Sequence, residues 1–372
     1  MELKTNNQYS IFIYPFVVNE KNYNEYILKL LENDKCELKL WNKDEDISIY
    51  TYFKQNIREK VFWPFSYSKM KIQKLNDLDN EFKSKVLSQY EVTMFKYNLN
   101  NKIQGRIGED NTSLFDVDNI EIVCFKTGIC FILLKTSLGK EIEISDVLNF
   151  NNKFRNIESD FKTANQEEII VQTDDFKNSN DIYNIIRDIK GNNEDAKKLR
   201  ISDERIFTYT YSSLNKESWK DNFNDSLKEN FIKLYNVLPN QLDNFDIKQY
   251  SSEIIDVSKF IKIGFTNQGT ALFSSACEKN SLNMPYVYGQ EYLYTYIISL
   301  YKKLYINKLM NEYEEIKKFD KIKNKLENFT NSIWIDSITK NKNGDLLNKK
   351  WEETLQLQYK YEKLKLDMFN NK

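Results

Sequence analysis

The stretch that most restricts how this chain can fold is its last quarter. From Tyr286 it reads YVYGQEYLYTYIISLYKKLYINKLMNEYEEIKKFDKIKNKLENF. Apolar residues recur there at helical spacing: Leu293, Ile297, Leu300, Leu304, Leu309, Tyr313 and Ile316. Pro285 stands just before, where a proline suits a first helical turn, and Gly289 is the only glycine within the stretch. The pattern predicts one helix over about 286–328, a rod of roughly 60 Å. Its first half carries seven tyrosines: Tyr286, Tyr288, Tyr292, Tyr294, Tyr296, Tyr301 and Tyr305. Such a stripe is more often core than ligand platform, but it exceeds what one helix needs on its own domain, so part of it is expected to meet another subunit. A second helical stretch, 344–369, sets Leu347, Trp351, Leu355 and Tyr359 on one face. Together these read as a stalk pointing away from a globular body.

Upstream, strands and helices alternate irregularly. YSIFIYPFVV (9–18) reads as a strand, with Pro15 arguing for an edge position or a bulge. NYNEYILKLLEN is helical, CELKLW (36–41) a strand, and IYTYFKQNIREKVF one helix with Phe53, Ile57 and Val61 aligned. EVTMFKYNL (91–99) is a strand and NKIQGRIGEDN (101–111) a polar loop. NIEIVCFKTGICFILLKTSL (119–138) is the clearest β signal: two strands joined at Gly128, apolar on nearly every residue and so central to a sheet. A helix over 144–157, capped by Ser145, a strand at 167–173, a helix stopping at Gly191, and a strand at 204–214 follow. An amphipathic helix spans 216–238, and two short strands flank TNQGT (266–270). The fold class is mixed α+β: a mixed sheet flanked by helices, then a long C-terminal helical stalk. The division is 1–285 as an α/β domain and 286–372 as the stalk.

Composition narrows the chemistry. With 54 basic and 55 acidic residues, bulk charge supports neither a nucleic-acid nor an anionic-membrane surface. The absence of histidine removes His-based acid/base catalysis and His-ligated metals. Cys36, Cys124, Cys130 and Cys277 form no CxxC, which points to reduced, mostly buried thiols in a cytosolic protein. No window reaches the ~20 apolar residues of a membrane helix. The acidic groups Asp116/Asp118, Asp174/Asp175 and Glu312/Glu314/Glu315 are carboxylates of a kind common on solvated faces and weak magnesium candidates. GRIG (105–108) lacks the Lys-Ser/Thr of a phosphate-binding loop.

Lysine is used almost everywhere. The six arginines, Arg58, Arg106, Arg155, Arg187, Arg200 and Arg205, all precede position 206. Where lysine is the default cation, retained arginine suggests bidentate geometry. Arg155 beside Phe154, Arg205 near Phe207 and Tyr209, and Arg58 near Phe62 and Trp63 pair a cation with an aromatic face. Asp203 offers a carboxylate. The competing readings are structural: Arg155 closing its helix against the macrodipole, and Asp203 pairing with Arg205 on the surface.

The tyrosine-rich YLYTYIISLYKKLY (292–305), together with Phe329, Trp334, Thr339, Gly344, Trp351 and the closing amphipathic helix, resembles the intracellular part of the CorA-like divalent-cation channel superfamily. The hairpin CFKTGICFILLK and the LNFNNKFR that follows resemble a divergent branch encoded beside type III CRISPR systems. The resemblance implies a ring homo-oligomer, two membrane helices beyond the stalk, and a nucleotide second messenger, a conjugate of S-adenosylmethionine with AMP, as ligand, with Mg2+ as a further ligand and no catalysis. The Gly-Met-Asn motif of the superfamily is absent from this sequence. The expected ligand residues are Arg155, Arg205, Asp203, Arg58 and Phe154, at the cytoplasmic face of the inner membrane. The alternatives are the regulatory domain of a housekeeping magnesium transporter and a soluble nucleotide-processing enzyme.

Overall fold

The computed structural model describes residues 2–63, 69–99, 103–107, 113–156, 169–172, 180–204, 206–242, 246–247, 254–279, 281–316, 319–334 and 337–370. It is a mixed sheet flanked by helices, with a long C-terminal helical region. The hairpin read at 119–138 forms its middle. Strand β5 (Ser113–Phe125) turns at Gly128 into β6 (Ile129–Ser137), in an antiparallel register that sets Cys124 opposite Cys130. Gly128 has φ +85°, and a Cβ there would meet the Val18 carbonyl oxygen at 2.0 Å, so only glycine suits this turn.

Strand β1 (Thr5–Val17) pairs with β6 on one side and with β10 (Phe207–Leu214) on the other. Neither the edge position nor the bulge expected from Pro15 is found: β1 is paired on both sides, and its register with β6 runs unshifted through Pro15. The ladder to β10 ends at Ile13, and the short β9 (Glu194–Asp195) pairs only with Phe16 and Val17. The Pro15 carbonyl accepts from Ala196 N on that side. Since N–H and C=O of one strand residue point the same way, the missing N–H falls in the gap between β10 and β9. Beyond β10 lie β13 (Gly269–Ser275), the one parallel neighbour among the described strands, then β12 (Ile261–Phe265) and β11 (Ile254–Ser258). Beyond β5 lie β4 (Ile103–Ile107), β7 (Ile169–Gln172) and β8 (Asn180–Asp181). Strand β3 (Val92–Tyr97) also pairs with β5 and carries β2 (Cys36–Leu38).

The expected loop at 101–111 thus contains β4. Gly105 in it lies under the Phe115 ring, where a Cβ would come within 2.1 Å; the glycine serves close packing rather than a phosphate cradle. The single helix expected over 49–62 is two, Ile47–Tyr52 and Gln55–Val61, interrupted where Phe53 bridges to Thr339. Ser145 is not the cap of helix Ile144–Arg155: Glu143 holds the cap position and Ser145 donates to its carboxylate. The helix read over 216–238 is shorter, Asp225–Tyr235, begun by Asn224 accepting from Leu227 N.

Side-chain alternation along β1 divides the core. Tyr9, Ile11 and Ile13 face the C-terminal helices; Phe12, Tyr14 and Phe16 face helices Tyr23–Glu32, Ile144–Arg155 and Ile182–Lys190. The rod of the sequence reading does not stand away from this body. After a π-turn at Tyr288–Tyr292, helix Leu293–Ile316 lies against the sheet with Tyr288, Tyr292, Tyr294, Tyr296, Tyr301 and Tyr305 buried. Helix Phe319–Ser332 runs back along it, bringing Phe329 against Tyr301 and Tyr305 and Lys325 onto Glu312. One helix to 328 is therefore incorrect, and these six tyrosines are consumed by the chain's own core. Tyr209 stacks on Tyr288, Tyr211 lies tilted against Tyr288 and stacks on Tyr9, and Phe125 stacks on Tyr301 at 3.7 Å. The last stretch is likewise two helices, Lys342–Thr354 and Leu357–Asn370, separated at Gln356 with φ +56°. That break resets the helical phase, so Leu347, Trp351 and Leu355 are buried while Tyr359 is exposed.

Candidate functional site

Helix Leu293–Ile316 runs antiparallel to β10: Tyr288 meets Tyr211, Tyr296 meets Tyr209, and Lys303 meets Phe207 at the strand's first residue. The side chains at 296, 300, 303 and 307 share a helix face. This face ends in polar groups at the edge of the sheet, beside two loops that precede the parallel strands β10 and β13. The first loop holds Asp203 and Glu204. Ser202 shapes it, donating to the Glu204 carbonyl and accepting from Glu204 N, and Asn307 anchors it from the helix through the Ile201 carbonyl. In the second, Thr266 accepts from Gln268 N and Gly269 N.

Lys303 is the principal feature of this end. Its side chain is 3% exposed, and its one ion-pair contact among the described residues is Asp203 Oδ2 at 3.9 Å, beyond hydrogen-bond reach. Burial, with the nearby Lys360 adding, pushes its amine down to about 8, against the pull of Asp203 and Glu204. Lys360 donates to Asn307 Oδ1 at 3.1 Å and is also lowered, by burial. Two turns before Lys303, the buried Tyr296 hydroxyl has no hydrogen-bond partner among the described residues. Burial raises its pKa, opposed by Arg155.

The sequence-predicted residues separate. Arg155, last in its helix, donates to Gln268 Oε1 and Glu204 Oε2, and so holds the two loops together. Asp203 is 74% exposed and faces Lys303. These two belong to the cluster. Phe154 does not: its ring is fully buried, stacked on Phe12 at 3.9 Å on the far face of the sheet. Arg58 does not either. It donates to the Tyr50 carbonyl and lies 3.9 Å over the Tyr50 ring, pinning one helix to the next. Arg205 lies outside the described residues. Sequence reasoning missed Lys303, Lys360 and Gln268. The available signal was Lys302-Lys303 inside an apolar run, between Leu300-Tyr301 and Leu304-Tyr305.

Lys302 turns the other way, to Glu352 Oε1 at 2.6 Å. Beside it a cavity of about 410 Å3 is lined by Trp334, Lys349, Glu352, Glu353, Gln356 and Tyr359. There the Lys302 amine is already taken by Glu352. A third buried network joins Lys39, Glu121 and Tyr294: Lys39 donates to Glu121 at 2.9 Å and to Tyr294 at 2.7 Å, and Glu121 also accepts from Tyr294 at 2.6 Å and from Asn119 at 3.0 Å. Among the described residues, no group of three or more cysteines or carboxylates could hold a metal, and no helix is long and apolar enough to cross a membrane. Comparison with protein-family models, with curated proteins and with solved structures finds no match.

Proposed function

We propose that the chain is a ligand-sensing protein that takes the phosphate of a nucleotide at the Lys303–Lys360 end of the sheet. The observation that carries this is the buried Lys303 amine, which has no hydrogen-bonded acceptor among the described residues and has a second amine close by. A buried cation in this condition gains most from an anion that accepts from both amines. Arg155 acts by fixing Glu204 and Gln268, the walls of the site, and Asp203, 74% exposed beside Lys303, is placed to meet ribose hydroxyls or a sulfonium.

The specific ligand proposed is the conjugate of S-adenosylmethionine with AMP. That choice, the CorA-like ancestry and the role as the sensing part of a membrane effector in type III CRISPR defence rest on the resemblance of 292–351 and of the central hairpin. Calorimetric titration with AMP and with adenosine tests the chemical part. Saturable binding of AMP, at least tenfold tighter than adenosine and weakened by Lys360→Gln, is expected. Equal binding of the two, or none of AMP, contradicts it.

A further inference from the structure

The geometry around Lys303 assigns this residue a second property: it is a reactive amine that condenses with aldehydes or ketones to form an imine. Three observations lead there. The side chain is sequestered, yet its ion-pair contact, Asp203, is 3.9 Å away, so among the described residues no hydrogen-bonded acceptor locks the nitrogen as an ammonium. The helix Leu357–Asn370 brings a second amine, Lys360, to the same face. And Asp203, directly beside the nitrogen, is largely open to solvent, which gives a small carbonyl compound a route to it. Desolvation with a neighbouring cation is the arrangement that makes lysine nucleophilic near neutral pH.

In the reaction, the neutral amine of Lys303 forms the C–N bond to the carbonyl carbon. The carbonyl oxygen leaves as water, carrying the two protons lost by nitrogen, and a C=N bond remains. No oxidant or reductant enters. Among the described residues, the charged and titratable groups facing the nitrogen are Asp203 and Glu204 from the loop before β10, with Arg155 behind Glu204, and Lys360 from the C-terminal helix. Asp203 and Glu204 favour the ammonium, while Lys360 favours the neutral amine.

This inference shares its residues with the binding reading but does not require an anionic ligand, so its test uses an uncharged probe. The full chain is treated at pH 7 with acetaldehyde and then borohydride, which delivers hydride to the imine carbon and leaves a stable ethyl group. Peptide mass mapping then gives the extent at each lysine, with the α-amino group, pKa near 8, as internal standard. Lys303 should be labelled at least tenfold faster than exposed lysines. Asp203→Asn should speed its labelling roughly threefold and Lys360→Gln slow it by a similar factor. Neither side chain belongs to the core, and circular dichroism checks the fold of both variants. Labelling of Lys303 no faster than of exposed lysines overturns the inference, and so does labelling that both substitutions leave unchanged. AMP titration of the same preparation separates the two proposals. Selective labelling without AMP binding removes the nucleotide reading alone; AMP binding without selective labelling removes the reactive amine alone.

Discussion

Lys302 and Lys303 are neighbours in one helix with different surroundings: the first ends on Glu352 at 2.6 Å, the second lies 3.9 Å from the solvent-facing Asp203. A lysine whose folded-state pKa lies near 8, below the unfolded value of about 10.4, binds fewer protons folded than unfolded between those values. Its contribution to stability therefore rises with pH across that window and is least favourable below pH 8. Lys303→Met should raise the melting temperature at pH 7, and the gain should vanish by about pH 10.5; thermal melts across this range check it. Glu291, in the π-turn, shifts the other way: burial raises its carboxyl to about 7. Folding then takes up protons between about 4.3 and 7, so this residue's contribution weakens as pH rises through that interval. Glu291→Gln should stabilise at pH 8 and be neutral at pH 4. Arg155→Ala should destabilise, since it frees both loops from two charge-assisted bonds, on the order of 1.5–3 kcal/mol each; Arg155→Lys should recover only part.

At the scale of elements, the hairpin β5–β6 and most helices were legible because their signals are local: unbroken apolar runs around a turn glycine, and 3.6-residue periodicity ending at Gly191 or before Pro239. Three elements were not. β4 hides in a polar, glycine-containing segment because Gly105 makes room for Phe115, a contact ten residues away that periodicity cannot register. Pro15 misled because its missing N–H is accommodated by where β10 ends, a tertiary fact. Tyrosine is amphipathic, so a stripe of it did not distinguish a buried helix from an interface; here the partner is the row Tyr9, Tyr209 and Tyr211 from two distant strands. The site was half legible for the same reason. Arg155 and Asp203 stood out by residue type, whereas Lys303 is defined by what surrounds it. The Lys39–Glu121–Tyr294 network ties β5 to the central helix. Removing one partner leaves a buried charge, so Lys39→Met should cost about 3–5 kcal/mol by chemical denaturation. Tyr294→Phe, which leaves the ion pair, should cost only about 1–2 kcal/mol.

At the scale of the molecule, residues on both sides of Pro285 share one hydrophobic cluster, which runs from Tyr9 and Phe131 through the central helix to Trp351 and Met368. The helix packs along β10 from Lys303, past Tyr296, to the π-turn, where Glu291 lies. The helix is thus a physical route from the proposed ligand end to the opposite end of the sheet. The most direct measurement is calorimetric titration of the S-adenosylmethionine–AMP conjugate at pH 8.5, in two buffers of different ionisation enthalpy, with the wild-type chain and Lys303→Met. An anion seated on Lys303 raises its pKa, so binding at that pH should take up a fraction of a proton. The account predicts saturable binding with proton uptake in the wild type, and affinity reduced at least tenfold, without proton uptake, in Lys303→Met. Binding of equal affinity and equal proton uptake by both proteins, or no binding by the wild type, would contradict it.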